Sequence, residues 1–354
     1  MLLKKIRREI DALDREIVKM LNKRALKTLA IGRVKKERKA SIYAPAREKE
    51  IFSSLAKENQ GPLTLDTLKA IYREIMSASL SLEKQLVIAY MGPRATFSHL
   101  AAMKRFGTCV SYLPCDNISD VFLEVEKDHA DYGVIPIENS IEGAVSHSLD
   151  MLVDSDLKIC AQIMLDITHN LLANGPKDRI RHIYSNPQVF GQCRLWIESN
   201  LPKADLVEVS STTRAAQIAS KEKKGGACIA SLLAAKEYGL RVVAQDIEDN
   251  PHNITKFLVI GKFEAEPTKE DKTSIMFSIK DKVGALHDML MPFKKHGINL
   301  TKIESRPSKR RAWDYFFFVD LLGHRSEKRV QKALSELEEK CKFLKVLGSY
   351  PLTE

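Results

Sequence analysis

Apolar side chains recur at steps of three and four along the first stretch of the chain. Ile6, Ile10, Leu13, Ile17, Met20 and Ile31 share one helical phase. The pattern predicts a helix from near Leu2 to near Arg38, broken only by a tolerated Gly32. At about 1.5 Å per residue it is roughly 55 Å long. Pro45 sits near the start of a second helix, "AREKEIFSSLAKEN", which stops at Gly61-Pro62. A third follows through Leu68, Ile71, Ile75 and Met76 toward Leu82. One long helix with two shorter ones leaves apolar stripe uncovered, so residues 1–85 are expected to form an all-α bundle intertwined as a dimer.

From residue 86 to 263 the rhythm changes to strand, turn, helix. "LVIAYM" leads to "GPRATFSHLAA", "YGVIPI" to "ENSIEGAVSHSLDML" and "IRHIYSN" to "PQVFGQCRLWIE". "LVEVS" precedes "STTRAAQIAS", and "GACIA" precedes "SLLAAKEYG". Ser, Thr or Asn stands at the handovers, as helix N-termini require. The region reads as α/β with parallel sheets, long enough for two lobes and a cleft. Its ligands are expected at strand C-terminal ends near helix N-termini. The polar stretch 264–272, "EAEPTKEDK", is a linker. Residues 273–352 then read as strand "TSIMFSIK", helix "GALHDMLMPFKKHG", strands "INLTKIES" and "WDYFFFVDLL", helix "SEKRVQKALSELEEK" and strand "FLKVLGSY". That βαββαβ order is the α+β, ferredoxin-like split motif. The fold class is therefore multidomain.

Two cations break the first pattern. Arg24 and Lys35 fall on the apolar stripe, four residues beyond Met20 and Ile31. In the third helix Ile71, Ile75, Ser79 and Glu83 likewise put a hydroxyl and a carboxylate on an apolar face. A buried unpaired charge costs several kcal/mol, so these groups need partners. Either Glu83 pairs with Arg24 or Lys35, or the bundle holds a polyanion.

Composition narrows the class. The 354 residues carry a net charge of +10. Residues 1–84 contain 20 Lys and Arg against 11 Asp and Glu, so nine of those charges sit in the helical region. A basic helical region suits nucleic acid, an anionic membrane or small anions. Its only aromatics are Tyr43, Phe52 and Tyr72, and its key cations are in core phase, which disfavours a nucleic-acid arm. No apolar run reaches the roughly 18 residues of a membrane span, and the charged start lacks a secretory segment. Cys109, Cys115, Cys160, Cys193, Cys228 and Cys341 form no C-x-x-C pair, so reduced thiols in a cytoplasm are expected and no metal site. No Gly-rich phosphate loop or triad order is present, and no cofactor is expected.

Arg7, Arg24, Lys35, Arg47-Glu48, Ser79 and Glu83, opening with "IRREIDALDREIVKMLNKR", resemble the pattern of the all-helical chorismate mutases. The resemblance implies that Arg24 clamps a substrate carboxylate in-chain, Arg7 serves across a dimer and Arg47 adds positive potential. Lys35 and Glu83 would flank the ether oxygen of chorismate, Glu48 would accept from the ring hydroxyl and Ser79 would help a carboxylate. Glu83 can donate only when protonated, and many relatives carry Gln there. Ala44 stands where some relatives have an acidic residue, leaving the hydroxyl contact to Glu48.

"GPRATFS", "PIENSIEG", "SNPQVFGQC", "VSSTTRAAQ" and "NITKFLVIG", in this order, resemble prephenate dehydratase, with the two-lobed architecture of periplasmic binding proteins. Singly, a Ser or Thr before a helix is far more often a cap than a catalyst. Together the resemblance implies Thr255 as the central catalytic residue, with Phe257 near the ring. Thr96, Ser98, Asn139, Ser140, Ser185, Gln192, Ser211, Thr212 and Lys256 would bind or orient prephenate. Lys256 stands where the family usually has Arg, and Ala95 where it has Gly. "KVGALHDML" and "ESRP" resemble the motifs of ACT domains, implying phenylalanine held by Gly284, Ala285 and Leu286 with Glu304, Ser305, Arg306 and Pro307. His287 stands where relatives often have a small apolar residue.

The domain order resembles the bifunctional chorismate mutase–prephenate dehydratase family, whose members convert chorismate to prephenate and prephenate to phenylpyruvate under phenylalanine feedback. A homodimer or higher homo-oligomer follows, with no nucleic-acid or membrane partner. Alternatives are arogenate as the second substrate, one degenerate site, or a non-catalytic ligand-sensing regulator.

Overall fold

The computed structural model describes residues 1–38, 41–222, 225–279, 283–307 and 315–352. Lys282, Trp313 and Asp314, which the sequence reading used at a motif and a strand start, lie outside them. The chain forms two compact units, one of residues 1–87 and 105–111, the other of 88–104 and 112–354.

The first unit is helical. Helices α1 (Leu2–Glu37), α2 (Pro45–Glu58) and α3 (Leu65–Glu83) match the periodic segments. Pro45 opens α2, and Thr64 caps α3 by accepting the Thr67 N–H at 3.2 Å. Gly32 has a packing reason: a Cβ there would lie 3.1 Å from Glu83 Cγ, so the glycine admits that side chain against α1. The apolar stripe of α1 is bare, with Ile10, Leu13, Ile17 and Met20 all 50% exposed or more.

Residues 105–111 complete this unit. Phe106 packs on Tyr43 with ring centroids 4.9 Å apart, and the Thr108 N–H donates to Glu74 at 3.1 Å. Arg105 reaches Glu48 Oε2 at 3.1 Å, donates to the Tyr43 hydroxyl and stacks on its ring at 5.5 Å. Burial pushes the Glu48 carboxyl up, while the Arg105 and Arg73 charges pull it back.

The second unit contains three sheets. Strand β1 (Val87–Met91) leads to α4 (Phe97–Phe106), then β2 (Ser111–Cys115), α5 (Ile118–Glu126), β3 (Tyr132–Asn139), β4 (Gly143–Ala144), α6 (Ser146–Asp154) and β5 (Lys158–Asp166). The chain crosses to a second lobe of β6 (Asn170–Ala173), β7 (His182–Ser185), α7 (Pro187–Gln192), α8 (Arg194–Asn200), β8 (Asp205–Glu208), α9 (Thr212–Lys221), β9 (Gly226–Ala230), α10 (Leu232–Tyr238) and β10 (Arg241–Ala244). It returns as β11 (Ile254–Gly261), which threads between β3 and β5 in the order β2-β1-β3-β11-β5.

That return corrects one expectation. Both sheets are mixed rather than parallel: β11 is antiparallel to β3 and β5, and β6 is antiparallel to β9 and β10. Crossing between lobes reverses the strand direction, which periodicity within one segment cannot reveal. The consequence for the site is direct. The beginning of β11 meets the end of β3, with Thr255 in register opposite Asn139.

The third sheet comprises β12 (Asp271–Ser278), β13 (Leu300–Pro307), β14 (Tyr315–Leu322) and β15 (Phe343–Pro351), with α11 (Ala285–Lys295) and α12 (Lys328–Glu338). Its order β13-β14-β12-β15 is the one the split βαββαβ motif requires. Ile275, Phe277, Phe293, Val319 and Leu337 fill the space between sheet and helices. Strand β15 packs on β5, where Gly348 faces the Ile159 backbone.

Two stability predictions follow from this packing. A Cβ on Gly348 would lie 2.3 Å from the Ile159 carbonyl oxygen. Gly348→Ala is expected to lower stability by about 1–3 kcal/mol, read as a lower urea midpoint at constant slope. Arg105→Ala leaves Glu48 buried without its main partner and should cost about 3–5 kcal/mol in the transition of the helical unit. Burial already raises the Glu48 carboxyl in the folded parent and loss of Arg105 raises it further, so the loss should grow as pH rises through that raised folded-state value. A loss independent of pH would remove the electrostatic account.

Candidate active sites

In the helical unit, the cations on the apolar stripe turn inward to partners. Arg24 Nη1 donates to Ser79 Oγ, and that hydroxyl donates in turn to the Ile75 carbonyl at 2.8 Å. One turn of α3 further on, Lys35 Nζ donates to Glu83 Oε2 at 3.0 Å and to the Ile42 carbonyl at 2.7 Å. The Glu83 side chain is 7% exposed and that of Lys35 22%. Two cations of α1 thus meet a hydroxyl and a carboxylate one turn apart on α3. The pairing of Glu83 with a cation, one of the two outcomes weighed from the sequence, is present.

The other mutase candidates are not gathered there. Arg7 is exposed, and 17 residues of helix separate it from Arg24, about 25 Å along the axis. Arg47 is exposed and pairs with Glu50 at 2.7 Å. Glu48 is buried, but its carboxylate is engaged by Arg105. Arg73 and Arg105 carried no sequence signal, because neither belongs to a periodic stripe or motif.

In the two-lobed unit, a chain of amides surrounds Thr255. Asn139 Oδ1 accepts the backbone N–H groups of Ile141 and Glu142 at 2.9 and 3.1 Å, which fixes which way its amide points. Its Nδ2 therefore donates to Thr255 Oγ1 and to Asn253 Oδ1, both at 2.8 Å. Asn253 passes the chain to Gln192 Oε1 at 3.1 Å. Thr255, Asn253 and Phe257 are buried, and Phe257 shares the face of Thr255 two residues along β11. Beside them a cleft of about 380 Å³ is lined by Glu142, Gln188, Gln192, Asp249 and Asn253. That volume is ordinary for a small-molecule site.

The hydroxyl candidates hold backbone. Thr96 donates to the Met91 carbonyl at 3.0 Å and accepts the His99 N–H, while Ser98 is buried in the first turn of α4. Ser140 clips the loop before β11, donating to the His252 carbonyl at 3.0 Å and accepting the Ile254 N–H at 2.9 Å. Ser185, fully buried, donates to the Ile229 carbonyl at 3.0 Å. Ser211 caps α9 through the Arg214 N–H at 3.1 Å, with Thr212 the first residue of that helix. Ala95 adopts φ of 67°, where its usual glycine is unstrained, and its N–H is held by His99 Nδ1 at 3.1 Å.

Lys256 is not brought to Thr255. Adjacent strand residues face opposite sides, and Lys256 Nζ lies 2.8 Å from Glu138 Oε2 on the far face of the sheet. The same oxygen accepts from Lys302 Nζ of β13 at 3.0 Å. Burial pushes the Glu138 carboxyl up, but the two lysine hydrogen bonds outweigh it and hold it below the usual range.

The effector candidates divide similarly. Gly284, at φ of 78°, precedes α11, with Ala285 and Leu286 in its first turn. On β13 Lys302, Glu304 and Arg306 are half-buried, whereas Ser305 and Pro307 are exposed. Arg306 pairs with Asp150 of α6 at 3.1 Å and reaches the Ser146 hydroxyl, so it does not stand free for a ligand. His287 is exposed beside Asp288. Among the described residues, no group of His, Cys, Asp and Glu could hold a metal ion, and no helix is long and apolar enough to cross a membrane.

Comparison with known proteins accounts for all three regions. Residues 6–84 match the family model of type II chorismate mutase, 88–265 that of prephenate dehydratase and 273–339 that of the ACT domain. A bifunctional chorismate mutase/prephenate dehydratase of Aquifex aeolicus is 51% identical over 99% of this chain and 98% of its own length. The enzyme of that description from Stutzerimonas stutzeri is 43% identical over 99% of this chain and 97% of its own. Among solved structures, a prephenate dehydratase from Arthrobacter aurescens in complex with L-Phe superposes with a TM-score of 0.70 at 34% identity, covering 75% of this chain and 90% of that one. A half-buried cation seam in a helical bundle, an amide-held threonine in a two-lobed unit and a βαββαβ module thus occur in the order of one enzyme family, and the chain belongs to the bifunctional chorismate mutase/prephenate dehydratases.

Proposed function

We propose that the helical unit rearranges chorismate in the Arg24–Lys35 seam and that the cleft beside Thr255 dehydrates prephenate. The first reaction breaks a C–O bond and forms a C–C bond within one molecule, without nucleophile or proton transfer. It needs the substrate folded and the charge developing on the ether oxygen stabilised. The Arg24 guanidinium, steadied by Ser79, is a planar fork suited to a carboxylate, and Lys35 with Glu83 faces the ether oxygen. The single observation that carries this assignment is the convergence of two cations on one face of α3, Arg24 on Ser79 and Lys35 on Glu83.

The exposed stripe of α1 supports a homodimer in which a second copy covers it. The distance from Arg7 to Arg24 supports service by Arg7 in the partner's seam rather than its own.

In the second reaction the ring carboxylate departs as carbon dioxide. Its bonding pair moves into the ring, and the hydroxyl across the ring leaves as water after gaining a proton. Hydroxide is a poor leaving group, so a placed donor matters most. Thr255 Oγ1 accepts from Asn139, which leaves its own hydrogen available to the departing hydroxyl. Phe257 offers the apolar contact, and the N-terminus of α9 at Ser211 and Thr212 offers N–H groups to a carboxylate. The ACT module, together with the L-Phe bound to the Arthrobacter relative, supports phenylalanine as feedback effector. The β13 bonds to Glu138 and Asp150 give the sensor its grip on the dehydratase.

Feeding the full chain chorismate and following prephenate and phenylpyruvate tests the assignment. Arg24→Ala should lower the mutase rate by about 10²-fold or more while leaving prephenate dehydration intact. Thr255→Val should do the reverse, by about 10²- to 10⁴-fold. A Thr255→Val enzyme that still forms phenylpyruvate at the parent rate would remove Thr255 from the chemistry. A second experiment concerns Glu83, the partner of Lys35. Glu83→Ala should lower the mutase rate by about 10-fold or more while prephenate dehydration stays intact; a parent-like mutase rate would deny Glu83 its place beside the ether oxygen.

A further inference from the structure

The hydrogen-bond chain that reaches Thr255 does not end at Gln192. Its directions can be followed group by group, because each amide has one acceptor and one two-hydrogen donor. Asn139 is fixed by two backbone N–H groups on Oδ1, so Asn253 receives on Oδ1 and donates from Nδ2 to Gln192 Oε1. Gln192 Nε2 faces Glu142 Oε1 at 3.3 Å, which agrees with that orientation. Gln192 Oε1 then has a second neighbour, His169 Nε2 at 2.8 Å. An oxygen can only accept, so the imidazole carries its hydrogen on Nε2.

His169 is 1% exposed, and its Nδ1 is buried without a hydrogen-bond partner among the described residues. A neutral ring satisfies this arrangement, since the bare Nδ1 needs no acceptor, whereas an imidazolium would bury an N–H with nowhere to donate. The groups facing the ring are consistent. Phe97 of α4 presents a T-shaped contact with centroids 5.8 Å apart, and Glu248 accepts the backbone N–H of His169 at 2.8 Å. Burial pulls the His169 value below the usual imidazole range, with the Gln192 hydrogen bond and the Glu248 charge opposing.

Resting on the reading of Thr255 as the dehydratase centre, we infer that His169 is a positioning residue of that reaction, whose Nε2–H holds Gln192 in line with Asn253, Asn139 and Thr255. Gln192 is half-buried at the cleft wall. Without the imidazole it has a surface carboxylate, Glu142, as the competing anchor and can swing with it, taking one donor–acceptor link away from Asn253. With His169 present the chain is pinned at both ends: by backbone at Asn139 and by a buried ring at Gln192. Cooperative chains of this kind hold geometry better than isolated pairs. The threonine hydrogen then stays aimed at the leaving group instead of sampling other acceptors.

The test uses the full chain, with chorismate mutase activity and the melting curve as controls on folding. His169→Phe keeps the ring volume and removes the donor; dehydratase kcat should fall about 10- to 100-fold, with KM changed less. His169→Gln, whose amide N–H lies where Nε2 does, should recover most of that loss. Gln192→Leu removes the acceptor, so in that background His169→Phe should cost nothing further, a non-additive cycle that general destabilisation does not produce. Should His169→Phe fail to fold, seen in its melting curve, His169→Asn takes its place in the cycle, being too short to reach Gln192. Equal losses in His169→Phe and His169→Gln, parent-like kcat in His169→Phe, or additive losses with Gln192→Leu would each overturn the inference. Thr255→Val separates the two readings: inactive Thr255→Val beside active His169→Phe rejects only the role of His169, whereas active Thr255→Val rejects the threonine centre itself.

Discussion

A charged or polar side chain taken out of water must find a partner, and this requirement organises each part of the molecule. Lys35 and Glu83 meet across α1 and α3, Glu48 meets Arg105, and Glu138 takes two lysines at once. Buried pairs of this kind are weak evidence for stability, because well-packed aliphatic residues can serve it as well. In the helical seam the pair is the one the proposed rearrangement would use; at Glu138 the shared carboxylate joins two elements of the neighbouring modules.

The amide chain at the dehydratase cleft follows the same rule with neutral groups. The sequence draws attention to hydroxyls, since Ser and Thr cluster at the handovers from strand to helix. In the folded chain Thr96, Ser140, Ser185 and Ser211 spend their hydrogen bonds on backbone, as caps and clips. The groups that converge on Thr255 are amides from three separate stretches, Asn139, Gln192 and Asn253, with His169 behind them. An amide is the better element for such a relay. It carries donors at one end and an acceptor at the other, so fixing one fixes the next.

How far the sequence led can be judged from particular residues. The helical periods gave α1 to within a residue of its end, because an amphipathic stripe of that length has no other stable reading. The ferredoxin-like strand order was legible for the same reason: alternating short elements leave few topologies. The mixed sheets were not, since β11 reverses direction only after the chain has crossed a lobe. Lys256 could not be separated from Thr255 in a list of motif residues, yet a strand places them on opposite faces. Arg105, Asn253 and His169 belong to no periodic pattern, and only the fold brings them to Glu48 and Gln192. The phase of Arg24 and Lys35 was a physical anomaly in the sequence; in the fold both turn to partners on α3 while the apolar residues of their stripe stay exposed.

Strand β13 joins these observations. Its pleat alternates, so Lys302 and Arg306 lie on the face that bonds Glu138 and Asp150, while Ile303, Ser305 and Pro307 lie on the other, exposed face. Glu138 stands next to Asn139, and its partner Lys256 stands next to Thr255. Through that one shared carboxylate, Lys302 ties β13 to both strands that hold the threonine and its amide. The replacement of a fork-shaped arginine by Lys256 suits that sharing, since a point-like ammonium leaves room on the same oxygen for a second one.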